Sequence, residues 1–264
     1  MMSYLNPELH RDWKTNGYLK IPRFFSAEEA SNLQAWVSEI SDWEPTSDKW
    51  MHHYESTPDG ARLSRSENFV PYHTDMKTTV TSGKVLAVVS ELMEEPAVLY
   101  KEKINYKYPG GGGYAAHQDA PAYEFIDYHI TCLISVDSAT PENGCLYFSP
   151  GRHQEGFIAL DEKGCVAPET ASAMEWIAVP TDPGDILLFG SYSPHKSPTN
   201  RSDQSRRIVY LTYNAESQGD WREQYYADKR QAFSEYAKDS SNRDQQISKI
   251  AHFQGKTVNH AKLH

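Results

Sequence analysis

Three side chains of this sequence have the types and spacing to hold a reactive metal ion: His117, Asp119 and His195. In His117-Gln118-Asp119 an imidazole and a carboxylate stand two residues apart, so on a strand or extended turn both point to one side. His195 comes 76 residues after Asp119, just past an apolar segment at 185–190. Two histidines and one carboxylate on one face of a metal leave positions open for other ligands. That suits iron(II) activating dioxygen and does not suit a closed structural zinc site. The His-x-Asp pattern alone is weak, because either residue taken singly serves as well as a hydrogen-bonded loop group. Its context strengthens it: Gly184-Asp185-Ile186-Leu187-Leu188-Phe189 leads into His195, and an arginine-bearing strand follows.

That strand begins Arg206-Arg207-Ile208-Val209-Tyr210-Leu211, with Arg206 eleven residues after His195. If it lines the same barrel, a guanidinium enters the metal pocket and can pair bidentately with a carboxylate, which arginine does better than lysine. Strand alternation sends only one of Arg206 and Arg207 inward, and spacing alone leaves open which.

The elements that must position these groups follow from the hydrophobic pattern. Residues 17–22 alternate like a short strand and stop at Pro22. Ser26-Ala27-Glu28-Glu29 is a capping box, and Ala30, Leu33, Val37 and Ile40 recur at helical spacing behind it. Residues 44–75 read as a long irregular loop, and 76–94 as a second helix ending before Pro96. From Val98 the pattern changes to short β-branched and aromatic segments at 98–108, 128–137, 144–149, 174–180, 185–190 and 206–214, separated by Pro/Gly/Asn/Asp turns. Many short strands after helices predict a mostly β protein with flanking helices, a jelly-roll or double-stranded β-helix barrel. The expected organisation is a single domain over 1–264: a helical part at 1–95, the barrel at 96–215 and a helical tail at 216–264, its stretch 219–252 read as surface helix.

Composition bounds the function. The chain has 264 residues and a formal net charge of −10, which argues against a general nucleic-acid binder and against an anionic-membrane binder. No apolar run long enough to span a bilayer and no signal-peptide pattern is present, and Cys132, Cys145 and Cys165 form no CxxC pair. A reducing cytoplasm is the expected compartment, and a small soluble molecule the expected partner.

Taken together, His-x-Asp, the Asn143-Gly144-Cys145-Leu146 and Pro150-Gly151-Arg152-His153 turns, Gly184-Asp185, His195 and Arg206 resemble the phytanoyl-CoA dioxygenase family of Fe(II)/2-oxoglutarate oxygenases. The opening Gly17-Tyr18-Leu19-Lys20-Ile21-Pro22 and the Ser26 helix are similar to that family's start, so the resemblance covers roughly residues 15–215. It implies iron on His117, Asp119 and His195, and Arg206 (not Arg207) on the distal carboxylate of 2-oxoglutarate. With dioxygen as co-substrate, it implies oxidative decarboxylation to succinate coupled to hydroxylation of a substrate carbon. Asp119 stands where related halogenases carry a small residue, so halogenation is disfavoured.

Lys101, Lys103, Asn105 and Lys107 share one face of strand 98–108, which leads directly to His117. A polar face is commonly just the solvated side. The resemblance implies polar co-substrate contacts here, making Lys103 and Asn105 candidates to bind 2-oxoglutarate or substrate, with Thr131 a further candidate. Pro109-Gly110-Gly111-Gly112-Gly113 lacks the ending of a phosphate loop and reads as a flexible active-site loop. His153 reads as a turn residue, and His52, His53, His73 and His129 have no defensible ligand spacing.

Residues 100–107 and 117–123 resemble family members that hydroxylate small polar metabolites, among them the bacterial 2-aminoethylphosphonate dioxygenases. An anionic head group would need cationic or amide donors, for which Arg62, Arg65, Asn68, Lys107 and Arg201 are available, and Tyr108, Tyr123 and Tyr128 could shape an amine end. The rival readings are a secondary-metabolite hydroxylase or desaturase of the same family, and a non-catalytic cupin-like binding protein. A CoA thioester fits less well, since no basic groove for a nucleotide is evident.

Overall fold

The structure, a computed structural model, describes residues 4–57, 60–122, 126–162 and 164–238. The described chain runs α1 (Pro7–Asn16), β1 (Tyr18–Ile21), α2 (Ala27–Ser41), β2 (Met51–Thr57), β3 (Gly60–Glu67), α3 (Thr74–Thr81), α4 (Gly83–Met93) and β4 (Ala97–Lys107). It continues through β5 (Tyr114–His117), β6 (His129–Ser135), β7 (Leu146–Phe148), α5 (Pro168–Ala173) and β8 (Ile177–Val179). The last elements are β9 (Ile186–Gly190), β10 (His195–Ser197), β11 (Arg206–Ala215) and α6 (Arg222–Lys238). The strands form a seven-stranded sheet, β1-β9-β6-β11-β4-β3-β2, and a four-stranded sheet, β5-β10-β7-β8. Each pairing is antiparallel. This is the expected mostly β architecture with flanking helices.

Strand alternation divides the large sheet into two faces. Ile104, Tyr106, Ile130, Cys132, Ile134, Val209, Leu211 and Tyr213 belong to the core shared with the helices. The alternate positions Leu133, Ile208 and Tyr210 pack with Leu146, Phe148 and Phe189 to form the apolar part of the barrel interior. In α2 the capping box is complete: Glu29 N–H donates to Ser26 Oγ at 3.2 Å and Ser26 N–H to Glu29 Oε2 at 2.7 Å. Leu33, Val37 and Ile40 are fully buried beneath it, each contributing about 1.5–3 kcal/mol of hydrophobic stabilisation.

Three expectations need correction. Residues 44–75 are not one irregular loop: β2 and β3 form a hairpin that joins the edge of the large sheet through β4. The helix expected at 76–94 is two helices, α3 and α4, broken at Ser82 and Gly83, where Gly83 adopts φ +67°. The tail is not purely a surface helix, because Tyr225, Tyr226 and Lys229 of α6 are buried against β3 and β4; its expected continuation over 239–252 lies outside the described residues.

α6 is fastened by charge. Arg222 donates to both oxygens of Glu102 at 2.6 and 2.9 Å, Tyr226 OH donates to the Glu102 carbonyl at 2.9 Å, and Lys229 pairs with Glu67. A buried charge is tolerated only when partnered in this way. Among the described residues no helix is long and apolar enough to cross a membrane.

Candidate active site

His117 closes β5 and His195 opens β10, and the two are direct register partners across that antiparallel pair. Their ring centroids lie 4.2 Å apart, with the ring planes tilted by 53°. Asp119 Oδ1 lies 3.7 Å from His117 Nε2 and 4.0 Å from His195 Nε2, and the three donor groups sit within 4.8 Å of one another. Each imidazole is oriented by its own backbone. His117 Nδ1 lies 2.7 Å from the Ala115 carbonyl and His195 Nδ1 lies 3.0 Å from that of Ser193. With the proton on Nδ1, each Nε2 lone pair is left for a cation, the usual orienting arrangement for metal-bound histidine.

The electrostatics agree with that assignment. Burial lowers His117 to about 3, helped by repulsion from His195, and burial likewise lowers His195. Burial acts to raise Asp119, but His195, His117 and Lys103 around it hold the carboxyl below its ordinary value. Two neutral imidazoles and an ionised carboxylate are the protonation states a divalent cation requires. The donor set therefore fits iron(II).

Second contacts hold this geometry. Gln118, completely buried, turns away from its neighbours: its Nε2 donates to the carbonyls of Gly156 and Tyr192, both at 2.8 Å, and its Oε1 accepts from Ile158 N–H. Ser193 Oγ donates to the Gly17 carbonyl at 2.5 Å, tying the loop before His195 to the end of α1. Gly17 has φ +79°, and a Cβ there would run into the His153 ring and Ser193 Oγ. His153 is thus a packing residue of the turn, as expected.

The cavity above the donors is lined by Lys101, Lys103, Asn105, Phe189 and Tyr210 of the large sheet and by Tyr114 and Leu146 of the small one. The polar face of β4 therefore looks into the site and not into solvent. Lys103 and Asn105 are among the lining residues; Lys101, Tyr114 and Tyr210 join them although sequence reasoning did not single them out. Strand parity was the available signal for Lys101 and Tyr210. Tyr114 carried none.

Arg206 and Arg207 diverge as alternation requires. Arg207 pairs outside with Asp137, Nε to Oδ2 and Nη2 to Oδ1, both at 2.8 Å. Arg206 is buried beside Lys107 in register, and its Nε and Nη1 make no hydrogen bond. It contacts the hydroxyl of Tyr210, a wall of the cavity. Thr131 is also on the inner face, with no partner for its hydroxyl.

The expected substrate contacts are dispersed. Arg65 is buried and donates to Asn105 Oδ1 at 3.1 Å, one residue behind the cavity wall. Lys107 bonds Ser197 Oγ and the Pro198 carbonyl, with its ammonium over the Tyr114 ring. Arg62 lies over the Tyr108 ring; Asn68 is bonded to Lys49 and Arg222; Arg201 is exposed. Tyr128 stacks on Tyr192, and Tyr123 lies outside the described residues. Of the described residues among these, none lines the cavity directly. The glycine run after β4 is held more firmly than a flexible loop: Gly110 N–H donates to the Asn200 carbonyl and Asn200 N–H to that of Gly111. A Cβ on Gly113 would come within 2.6 Å of the Ser197 carbonyl.

Two antiparallel sheets carrying a two-histidine, one-carboxylate donor set, in a chain that matches a dioxygenase family over most of its length, make up an Fe(II)/2-oxoglutarate-dependent oxygenase. The chain belongs to the phytanoyl-CoA dioxygenase (PhyH) family, whose model matches residues 13–208. It is 56% identical over 245 residues to the methylphosphonate hydroxylase of Gimesia maris, covering 92% of this chain and 94% of that one. It is 43% identical to the 2-aminoethylphosphonate dioxygenase of an uncultured bacterium (HF130_AEPn_1), covering 88% and 90% of the two chains. The crystal structure of EctD from S. alaskensis with 2-oxoglutarate and 5-hydroxyectoine superposes with a TM-score of 0.70 over 81% of this chain and 77% of that one, at 19% identity, so the fold is shared.

Proposed function

We propose that this oxygenase hydroxylates a short alkylphosphonate, such as methylphosphonate or 2-aminoethylphosphonate, at the carbon bonded to phosphorus. The observation that carries the reading is that relatives at 56% and 43% identity, matched over nearly their whole length, are both named for phosphonate substrates. Methylphosphonate has one carbon, so its hydroxylation can only occur beside phosphorus.

His117, Asp119 and His195 hold the iron, and Arg206 receives the distal carboxylate of 2-oxoglutarate through its two unengaged N–H groups. Lys103 and Asn105 stand where they can hold the remaining oxygens of the co-substrate. When bound, iron(II) lets dioxygen and 2-oxoglutarate become succinate and carbon dioxide while a substrate C–H becomes C–OH. The chain's part is to orient and to exclude water: Leu146, Phe189 and the Tyr210 ring supply apolar lining, and the backbone-locked imidazoles fix the donor directions. A reducing cytoplasm remains the proposed compartment, in keeping with three buried free thiols.

The test is turnover of the iron-loaded protein with 2-oxoglutarate, dioxygen and either phosphonate, following succinate and the phosphorus NMR spectrum. One hydroxylated phosphonate per succinate is expected. Succinate formation unaffected by both phosphonates, with no new phosphorus resonance, would remove the reading.

A further inference from the structure

We propose that Lys101, His129, Thr131 and Thr212 form the pocket for the anionic head group of the substrate, at the opposite end of β11 from Arg206. This assignment rests on the phosphonate reading above and adds which residues receive the phosphonate.

The register brings these residues together. Lys101 pairs with Thr212, and Thr212 with Thr131, so the three form a row across β4, β11 and β6; Asn214 pairs with His129 in the adjoining row. All four share the inward parity of Leu133, Ile208 and Tyr210. From Arg206 to Thr212 the strand advances six residues, roughly 20 Å at the usual rise. That length accommodates two small dianions end to end, with the metal donors facing the middle of the strand.

Three observations indicate a ligand at this end. First, Thr131 is 3% exposed and its hydroxyl has no hydrogen-bond partner, a costly state for a buried polar group unless a ligand completes it. Second, Lys101 stands beside the buried Lys103 on the same face of β4, so this part of the cavity wall is cationic. Burial, and then repulsion from Lys103, pushes Lys101 well below the ordinary lysine range, and a dianion beside it would reverse that penalty. Third, Lys101 lines the same cavity as His117, Asp119 and His195, and Thr131 and Thr212 adjoin it as the register partners of the lining residues Phe189 and Lys101.

The chemistry of the two poles differs accordingly. Arg206 offers a planar fork suited to a carboxylate, whereas the Lys101 ammonium is a compact charge that, with two threonine hydroxyls and the His129 ring, suits the three oxygens of a tetrahedral phosphonate.

The experiment compares wild type, Lys101→Met and Thr131→Val, each near-isosteric, for the methylphosphonate KM and for 2-oxoglutarate affinity measured anaerobically with iron. Loss of a charged hydrogen bond predicts a methylphosphonate KM at least about 10-fold higher in Lys101→Met and several-fold higher in Thr131→Val. The 2-oxoglutarate affinity should stay within about 2-fold of wild type in both. Thr131→Val keeps the β-branched shape and removes an unpartnered hydroxyl, so it is expected to fold even if Lys101→Met does not. An unchanged phosphonate KM in both variants, or a loss confined to 2-oxoglutarate affinity, would overturn the assignment. If wild type itself fails to turn over phosphonates, the substrate reading fails first and this pocket falls with it. Turnover by wild type with unaffected variants removes the pocket alone.

Discussion

Lys229 of α6 and Glu67 of β3 form a buried ion pair behind the cavity, and Glu67 also accepts from Arg65 Nη1 at 3.2 Å while Arg65 holds Asn105 of the cavity wall. A helix outside the barrel is thereby linked to the site by three charged side chains and one amide. Removing one partner of such a pair exposes the other to the low-dielectric interior, a cost of about 3–5 kcal/mol when nothing else compensates. Glu67→Gln leaves Lys229 and Arg65 repelling each other, whereas Lys229→Met leaves Glu67 still paired with Arg65. Thermal unfolding is therefore expected to show both variants destabilised, with Glu67→Gln the worse. The opposite order would contradict this account of the cluster.

Arg206→Ala should raise the 2-oxoglutarate KM about 10- to 100-fold, the loss of one or two charge-assisted hydrogen bonds, while iron stoichiometry is retained. Arg206→Lys should recover only part of the loss, because an ammonium cannot reproduce the two-pronged contact. Wild-type 2-oxoglutarate affinity in Arg206→Ala would refute the role of Arg206.

Stability of the metal-free protein should fall on mild acidification. Burial lowers His53 to about 4 and His129 to about 3, from an ordinary value near 6.5. Between these values the unfolded chain binds protons that the folded chain does not. The stability contributed by neutral His53 is therefore complete above pH 6.5 and declines as pH falls towards 4. Each histidine costs about 2 kcal/mol between pH 6.5 and 5. Denaturant melts at pH 7 and pH 5 measure this, and His53→Gln should reduce the difference without removing it, since His129 stays. A pH-independent wild type over that range would argue against neutral buried histidines.

Gly17→Ala should destabilise the chain by about 2 kcal/mol or more, from the left-handed backbone and from overpacking against His153 and Ser193. Because Ser193 also orients His195, iron affinity should weaken with it. An unaltered melting temperature would show that the turn relaxes freely.

Much of this was legible from sequence, for physical reasons that differ by element. The α2 cap and its apolar stripe, and the parity of β4, follow from local geometry and appear as expected. The His-x-Asp pattern was readable because two of the proposed ligands lie two residues apart on one chain. The β2–β3 hairpin was not, because Arg65 and Glu67, inward on β3, are buried through their mutual ion pair and through contacts with the distant Asn105 and Lys229, and leave no hydrophobic alternation. The break between α3 and α4 was hidden by apolar residues on both sides of Ser82-Gly83, although that glycine was the available signal. α1 has a polar interior and is marked only at its ends, by Asn6 as cap, Pro7 and Gly17. Lys101, Thr131 and Thr212 lie on three separate strands, Thr212 many tens of residues after the other two, and only strand register brings the row together.

Everything proposed for the site depends on His117, Asp119 and His195 holding one iron. Anaerobic Fe(II) titration of the wild type and of His195→Ala, with bound metal quantified after separation, tests that most directly. One iron per chain in the wild type, and loss of tight binding in the variant, is the predicted result. Equal stoichiometry and affinity in the two proteins would contradict the account.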